Sequence, residues 1–477
     1  MERADNSNLQ KWYISDPSSP DKQPSVHRYP RAGTANPVLA YSIIRVGDSA
    51  AQQIPVIWDA VSFEYVVTAS CSPRGPLLTV MNRSQTKQQA LRTPLLFTPL
   101  HACISPLLTL SQVLLVDPST GATKLLHEDS DSSWLEWIPG LPAFAADGDL
   151  LVYQDHIASD TRRVCKVNTA AASRTFVTPA GVQVRSILSH NATGLIFSAV
   201  LDSPCVSLHH AAWDGQTAPL LNTDDGGHHL AQCASSADPD SAVIVIASSA
   251  LVSCETQFRV IVKQRECGHI ANNQISPALA SPPVIPNPIL LKLTPANLAT
   301  VLLFPKSHLR GSCRLPLIMC PYGGPHHAKA IANGRSHALA QYASRCQPAL
   351  ACNPPHVPAC RYIADLGFAV AIADGRGTPG RGPVWDRSVH NDLASPALED
   401  QAAAVGALAT LYPEDIDTGR VGIIGWSFGG YLAALAVLKM PHVFHAAVAG
   451  APVTEWRLYD TGLFIAFVAP ACHVASP

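Results

Sequence analysis

The sequence predicts two kinds of domain: an all-β region in the N-terminal half and a C-terminal α/β domain built on a mostly parallel sheet. Three observations support this prediction. Short β-rich segments alternate with turn signals from about residue 36 to residue 275. A proline-rich segment follows at residues 276–290. Beyond it, apolar strands alternate with helical segments.

Length and charge limit the possible functions. A chain of 477 residues exceeds one compact core and fits two or three domains. Its 33 basic and 35 acidic residues nearly cancel, and no basic cluster indicates a nucleic-acid or anionic-membrane partner. No apolar stretch approaches the roughly 18 residues of a membrane span, and the polar start lacks the apolar core of a secretory signal. We therefore expect a cytoplasmic protein that binds neither nucleic acid nor membrane.

The 13 cysteines are scattered and often stand beside apolar residues, as at Cys165 and Cys320. This pattern predicts buried, reduced thiols. The local group of Cys346, Cys352 and Cys360 lacks the short spacing of structural zinc sites. We expect neither a metal nor a cofactor.

The N-terminal half, residues 1–275, contains short β-rich segments separated by turns such as Asp147-Gly148. The clearest predicted strands are Val38–Ile44, Leu107–Leu115, Leu150–Tyr153, Gly194–Val200 and Ala242–Ile246. Short strands joined by turns of this type favour a sandwich, a barrel or a propeller. The sequence shows no repeat motif that chooses among the three. The prolines of residues 276–290 favour extended backbone and suit an inter-domain linker.

The C-terminal part, residues 291–477, follows a different pattern. Predicted strands are Ala299–Phe304, Leu315–Pro321, Phe368–Ala373, Arg420–Gly425 and Ala446–Ala451. A helix is expected to end at Leu366, and another to span Ser395–Tyr412 with Ser395 as its N-cap. An Ala/Leu-rich helix is predicted at Phe428–Lys439. Strands that alternate with helices predict a parallel sheet covered on both faces.

The strongest chemical signal is Gly-x-Ser-x-Gly at Gly425–Gly429, centred on Ser427. It follows an apolar strand and opens an apolar helix, which is the context of a nucleophile elbow and of an α/β-hydrolase domain. The amide of Phe428 then lies at the helix N-terminus, where it can face an oxyanion formed by attack of Ser427 on a carbonyl. The alternative is a strand–helix turn of small residues with an incidental serine.

A second glycine motif, Gly-x-Gly-x-x-Gly at Gly375–Gly380, follows the strand that ends near Asp374. In a dinucleotide-binding fold a helix opens directly on these glycines. Here Pro379 and Pro383 interrupt the segment. We therefore interpret it as a shaped active-site loop rather than a cofactor site.

Four ordered motifs resemble the prolyl oligopeptidase family, and within it the bacterial dipeptidyl peptidase IV branch. They are Pro321-Tyr-Gly-Gly-Pro-His326, Asp374-Gly-Arg-Gly-Thr-Pro-Gly-Arg-Gly382, Gly425-Trp-Ser-Phe-Gly-Gly-Tyr431 and Ala451-Pro-Val-Thr-Glu-Trp-Arg-Leu-Tyr-Asp-Thr461. The segment Arg28–Asn36 also resembles part of that branch's propeller. The resemblance spans nearly the whole chain, down to Thr461.

The resemblance implies a β-propeller that caps an α/β-hydrolase domain, with the active site between them. Ser427 matches the nucleophile, and Tyr322 matches the tyrosine whose hydroxyl completes the oxyanion hole beside the Phe428 amide. Val453, Trp456 and Tyr459 match positions that line the pocket for a proline side chain. The implied partners are a peptide with proline near its N-terminus and a second copy of the chain in a homodimer.

The sequence departs from the family pattern in the catalytic triad. The family's acid and histidine follow the serine on later strand ends, but fifty residues follow Ser427. Asp460 belongs to the pocket motif, and the histidines after Ser427 do not match the family position: His442, His445 and His473. The run Gly462–Pro477 also breaks from the pattern. We expect a C-terminally incomplete hydrolase domain.

Two further departures concern the N-terminal half and an insertion. The dipeptidyl peptidase branch holds the substrate amine with a Glu-Glu pair that precedes the segment matched by Arg28–Asn36, and no such pair occurs here. We therefore expect an incomplete propeller. Arg345–Cys360, rich in proline and cysteine, looks like an insertion.

These departures leave three functional hypotheses open. The first is a serine peptidase that releases Xaa-Pro dipeptides through an acyl-enzyme on Ser427. The second is a remnant or binding module that lacks the triad Asp and His, and is inactive or very weak because a serine without a base is a poor nucleophile. The third is a generic esterase, which the β-rich half and the Tyr322 motif disfavour.

Overall fold

The computed structural model describes residues 1–44, 53–83, 109–131, 133–201, 205–220, 228–234, 243–249, 251, 256–262, 265–270, 288–332 and 360–460. Most of the predicted linker at residues 276–290 lies outside these ranges. So do most of the predicted insertion, with Cys346 and Cys352, and the end of the chain with His473.

Strands make up the N-terminal part of the described chain. They are β1 (Glu2–Asp5), β2 (Lys11–Ile14), β3 (Ser25–Arg28), β4 (Val38–Ile44), β5 (Gln53–Pro55), β6 (Tyr65–Ser70), β7 (Leu77–Met81), β8 (Thr109–Val116), β9 (Thr123–Asp131), β10 (Ala143–Phe144), β11 (Leu150–His156), β12 (Thr161–Asn168), β13 (Ser173–Phe176), β14 (Gln183–His190), β15 (Gly194–Val200), β16 (Ser207–Ala212), β17 (Thr217–Pro219), β18 (His228–Ala234), β19 (Val243–Ser249), β20 (Thr256–Val262) and β21 (Arg265–Ile270). A single 3₁₀ turn at Ile157–Ser159 joins β11 to β12.

These strands form consecutive antiparallel sheets. Four sheets have four strands each, in the orders β6-β7-β8-β9, β10-β11-β12-β13, β14-β15-β16-β17 and β18-β19-β20-β21. The first strands form a three-stranded sheet, β1-β4-β5, and a hairpin, β2-β3. Sheets of four sequential strands are the blades of a β-propeller. The structure thereby selects one of the three all-β architectures that the sequence left open.

Apolar side chains pack neighbouring sheets against one another. In β19, Ile244 and Ile246 alternate with more exposed residues and pack with Leu208 of β16. Cys165 of β12 is fully buried between the first two four-stranded sheets, as predicted. Cys320 is also buried, whereas the expectation of burial is wrong for three exposed cysteines: Cys71, Cys267 and Cys313.

The C-terminal part is an α/β domain. Its strands are β22 (Ile289–Leu293), β23 (Leu298–Leu303), β24 (Leu315–Met319), β25 (Ala369–Asp374), β26 (Ile416–Trp426) and β27 (Ala446–Gly450). Its helices are α1 (Cys360–Asp365), α2 (Pro383–Arg387), α3 (Ser395–Leu411) and α4 (Phe428–Lys439), with a 3₁₀ turn at Trp456–Leu458.

One mixed sheet organises this domain, in the order β22-β23-β25-β24-β26-β27. The pairs β22–β23 and β23–β25 are antiparallel, and the other three pairs are parallel. Alternate side chains along β25 point to opposite faces of the sheet and join two different cores. Ala369, Ala371 and Ala373 join the core that contains side chains of α3 and α4, whereas Val370 and Ile372 pack with Ala364 of α1. Helices therefore cover both faces, as predicted.

The start of α3 differs from the prediction. Ser395 is the first helical residue and Ala394 is the N-cap. The Asp392 carboxylate accepts hydrogen bonds from the amides of Ala394 and Ser395, at 3.0 and 2.9 Å. An aspartate upstream of the helix thus satisfies the amides of the N-cap and of the first helical residue, and Ser395 is not the cap.

Candidate active site

Ser427 lies at the turn between β26 and α4. Its backbone angles are φ 56° and ψ −118°, a conformation that a residue with a side chain rarely adopts. The turn is also tight, because a Cβ atom on Gly425 would lie 1.9 Å from the carbonyl oxygen of Gly429. The two motif glycines therefore let the strand and the helix approach closely around a strained serine, which is the geometry of a nucleophile elbow.

Tyr322 follows β24 and faces the first turn of α4. Its ring lies 6.0 Å from the ring of Phe428, centroid to centroid, and 5.0 Å from that of His327. The adjacent glycines make this contact possible. A Cβ on Gly324 would lie 2.6 Å from the Phe428 ring, and one on Gly323 would lie 2.4 Å from a methyl group of Leu432. The tyrosine loop is thus packed directly onto the helix that begins at the elbow.

Two residues that carry hydrogen-bond donors, Tyr322 and Phe428, line the same pocket as Ser427. Phe428 is the first residue of α4, where a helical amide has no acceptor within its own helix. Burial raises the pKa of Tyr322, so its hydroxyl stays protonated and able to donate near neutral pH. A donor pair of this kind can stabilise an alkoxide that forms from a carbonyl attacked by Ser427.

A single pocket brings the predicted site residues together. The empty volume of the pocket is about 350 Å³, counted together with its opening to solvent. Its lining residues are Tyr322, Pro325, Leu393, Ser427, Phe428, Val453, Trp456 and Tyr459. Six of these eight were predicted from the sequence as catalytic or substrate-binding residues. Pro325 and Leu393 were not singled out as lining residues, although Pro325 stands in the quoted tyrosine motif.

Comparisons with known proteins agree with this architecture. A family model described as the dipeptidyl peptidase IV N-terminal region matches residues 1–249, and one described as the prolyl oligopeptidase family matches residues 358–468. The chain belongs to the prolyl oligopeptidase family. The fold class predicted from the sequence, a β-propeller region followed by an α/β-hydrolase domain, is confirmed.

Individual relatives cover nearly all of this chain. Mouse dipeptidyl peptidase 8 is 22% identical over 97% of the chain, and honeybee (Apis mellifera) venom dipeptidyl peptidase 4 is 24% identical over 94%. The crystal structure of Porphyromonas gingivalis dipeptidyl peptidase 4 superimposes with a TM-score of 0.72 and 19% identity over 98% of the chain. The chain spans 55% of the length of each of the two relatives and 60% of the crystallised chain.

Within this family fold, Trp456 forms the centre of an aromatic cluster at the pocket. Its ring lies 5.4 Å from Tyr431, 5.7 Å from Phe428 and 6.0 Å from Tyr459, centroid to centroid. Edge-to-face and tilted arrangements of this kind are favourable for aromatic rings. The cluster therefore gives the pocket an aromatic wall, with Val453 beside it.

The segment Arg28–Asn36 of the N-terminal part contacts the motif that contains Tyr459 and Asp460. The amide of Ala32 donates a hydrogen bond of 2.8 Å to the carbonyl oxygen of Tyr459, and Arg31 forms an antiparallel bridge with Asp460. The two segments, far apart in the sequence, therefore meet in the structure.

The histidines next to the elbow helix do not contact Ser427. His445 Nδ1 accepts a hydrogen bond of 3.1 Å from the amide of Val421 and precedes β27, whereas Ser427 follows the carboxyl end of β26. His442 is exposed. Within the described ranges no histidine is hydrogen-bonded to Ser427, and His473 lies outside them.

The second glycine motif, Gly375–Gly380, forms a loop between β25 and α2 rather than part of the pocket lining. The interpretation of this motif as a shaped active-site loop stays a prediction. Its continuation packs against the propeller region: a Cβ on Gly382 would lie 2.4 Å from the Asp160 carbonyl oxygen, and the Val384 amide donates to the Asp160 carboxylate at 2.9 Å. The glycines here allow close approach between the two parts of the chain.

A buried charge network extends this contact. Arg162 of β12 is paired with Asp386 of α2, and its Nε lies 3.1 Å from Asp155. Arg387 of α2 is paired with Asp155 and lies 2.9 Å from Asp131. Both guanidinium groups join the propeller region to α2.

No helix in the described ranges is long and apolar enough to cross a membrane.

Proposed function

We propose that this chain carries the chemistry of a serine peptidase that releases N-terminal Xaa-Pro dipeptides. One observation supports this most strongly: a strained serine, two oxyanion donors and an apolar aromatic wall line the same pocket. The dipeptidyl peptidases among the relatives supply the reaction class.

The proposed reaction begins when Ser427 Oγ bonds to the carbonyl carbon of the substrate. The electron pair of the carbonyl moves to its oxygen, which accepts hydrogen bonds from the Tyr322 hydroxyl and the Phe428 amide. The serine proton has to pass through a general base to the leaving amine as the scissile C–N bond breaks, and no histidine among the described residues is hydrogen-bonded to Ser427 to act as that base. Water then hydrolyses the resulting ester and restores Ser427.

The pocket wall accounts for the proposed preference for proline. A pyrrolidine ring is compact and apolar, and its tertiary amide brings no N–H that needs an acceptor. Val453, Trp456 and Tyr459 present an apolar surface of matching character. The aromatic cluster around Trp456 keeps that surface in place, so little side-chain entropy is lost when substrate binds.

The test uses a chromogenic Gly-Pro amide, its Gly-Ala analogue and a serine-reactive phosphonate. We expect turnover of the Gly-Pro amide, weaker turnover of the Gly-Ala analogue, and covalent labelling, all abolished by Ser427→Ala. Trp456→Leu should raise KM for the Gly-Pro amide more than for the Gly-Ala analogue. Failure of both turnover and labelling would contradict the proposed activity, and preference for a simple acyl ester would favour an esterase.

A second candidate is a binding module of the same family. It is favoured by the observation that no histidine among the described residues is hydrogen-bonded to Ser427. A binding module should take up a Gly-Pro peptide in the pocket without turnover, and Trp456→Leu should weaken that binding. Calorimetric titration of the Ser427→Ala and Ser427→Ala/Trp456→Leu variants measures this.

A further inference from the structure

The loop that carries Tyr322 is held at its far end by the α/β domain itself. The amides of Lys329 and Ala330 donate hydrogen bonds of 2.8–3.0 Å to the buried carboxylate of Asp374, and Lys329 Nζ donates to the Cys320 carbonyl oxygen at 2.7 Å. These bonds fix residues 320 and 329–330. The stretch between them contains Tyr322 and Pro325, both of which line the pocket.

His326 lies in this stretch and adopts a strained backbone conformation. Its φ is 65°, in the left-handed region that a histidine seldom occupies. Such a conformation persists where surrounding contacts over-determine it. Because His326 directly follows Pro325, a contact that holds the histidine also constrains the wall of the pocket.

Glu136 of the propeller region supplies such a contact. Its Oε1 lies 3.2 Å from His326 Nδ1, close enough for a ring N–H to donate a hydrogen bond. Its Oε2 accepts a hydrogen bond of 3.2 Å from Trp134 Nε1 and lies 3.8 Å from the guanidinium of Arg162. Two ring N–H groups within hydrogen-bond distance and one nearby guanidinium therefore surround one largely buried carboxylate.

The surroundings of Glu136 keep it ionised. Burial alone would raise the pKa of this carboxyl, but the hydrogen bond with His326 and the charge of Arg162 outweigh burial and lower the pKa to about 2. The side chain remains a strong acceptor throughout the range in which the folded protein is studied. Arg162 in turn is anchored by Asp386 and Asp155, so Glu136 is held on a rigid support.

We propose that Glu136 is a positioning residue for the oxyanion donor: through His326 it fixes the Tyr322 loop from the propeller side of the pocket. The inference rests on the proposed function for its kinetic consequence, but the placement of the loop is measurable without turnover. Glu136 itself touches no reacting atom.

The kinetic test combines Glu136→Gln with Tyr322→Phe. Glu136→Gln should lower kcat about tenfold with KM little changed, because a displaced donor acts on the transition state. In the Tyr322→Phe background the same substitution should have no further effect, since the hydroxyl that it positions is absent. Equal losses in both backgrounds, or no loss in either, would overturn the proposal.

A spectroscopic test is independent of activity. With 3-fluorotyrosine placed at position 322, Glu136→Gln should shift or broaden the ¹⁹F resonance, and Glu136→Asp should give a smaller change. The matched control is Glu128→Gln on the exposed side of β9, which should leave the resonance unchanged. An unchanged resonance in folded Glu136→Gln protein would overturn the proposal. A protein without turnover would contradict the proposed function and leave this measurement intact.

Discussion

The main-chain amide of Ser427 donates a hydrogen bond of 2.9 Å to the carbonyl oxygen of Gly450, the last residue of β27. The neighbouring strand therefore holds the backbone of the elbow from the side. A Cβ on Gly430 would lie 2.4 Å from the same carbonyl oxygen, so α4 and β27 meet here with no room for a side chain. The strained serine is thus supported by both the helix and the strand.

Replacement of Ser427 should reveal how much strain the elbow stores. Ser427→Gly should be more stable than Ser427→Ala by about 1 kcal/mol, because glycine adopts a positive φ without steric conflict while alanine keeps the strain. Urea denaturation of the two variants measures the difference in the free energy of unfolding. An alanine variant as stable as the glycine variant would show that the backbone at this position is unstrained.

A side chain at Gly425 should be strongly destabilising. Gly425→Ala places a Cβ 1.9 Å from the Gly429 carbonyl oxygen, and the resulting displacement should lower the free energy of unfolding by at least about 2 kcal/mol. The matched control is Gly406→Ala on an exposed position of α3, where nothing beyond the helix itself lies within 4 Å of the new Cβ. That substitution should instead stabilise the protein by about 0.5–1 kcal/mol. Thermal denaturation of both variants tests the pair.

Removal of the Tyr322 hydroxyl should impair catalysis without disturbing packing. If the chain turns over a Gly-Pro amide, Tyr322→Phe should lower kcat by about 10²–10³ with KM nearly unchanged, because an oxyanion donor acts in the transition state. The ring contacts with Phe428 and His327 remain available to phenylalanine. Tyr13→Phe, at an exposed site, is the control. A rise in KM alone would indicate a role in binding instead.

The stability of the protein should depend on pH through Asp386. Burial raises the pKa of Asp386 to about 7, and the charge of Glu136 adds to this effect while Arg162 opposes it. Because the folded-state pKa lies above the unfolded value near 4, the protonated acid favours the folded state, and this contribution is lost as the pH rises through about 7. Asp386→Asn cannot titrate and should flatten this part of the profile. Urea denaturation at pH 5 and pH 8 checks it, and an unaltered difference would contradict the assignment.

Local patterns predicted much of the fold. Val38–Ile44, Gly194–Val200 and Phe428–Lys439 have the same bounds in the structure as in the sequence-based prediction, because each combines a strong period or propensity with clear flanking turns. The motif around Ser427 likewise predicted the local backbone geometry, because its glycines allow the strand and the helix to approach closely. Six pocket residues followed from motifs whose members are close in the chain.

Local sequence patterns of this kind did not predict contacts between segments that are distant in the chain. Arg162 and Asp386 are separated by 224 positions, and nothing local distinguishes either from a solvent-exposed charge. Leu393 lines the pocket although it reads as an ordinary apolar residue before a helix. The glycines of the loop at Gly375–Gly380 likewise indicate close approach, but the sequence does not say to what.

The hydrogen bond between Ala32 and Tyr459 ties one wall of the pocket to the N-terminal part of the chain. That wall belongs to the α/β domain by sequence, but its backbone is bonded to the segment between β3 and β4. Any motion that separates these two segments must break this bond. The shape of the pocket is thereby coupled to the contact between the two parts of the chain, because Tyr459 lines the pocket and also takes part in that contact.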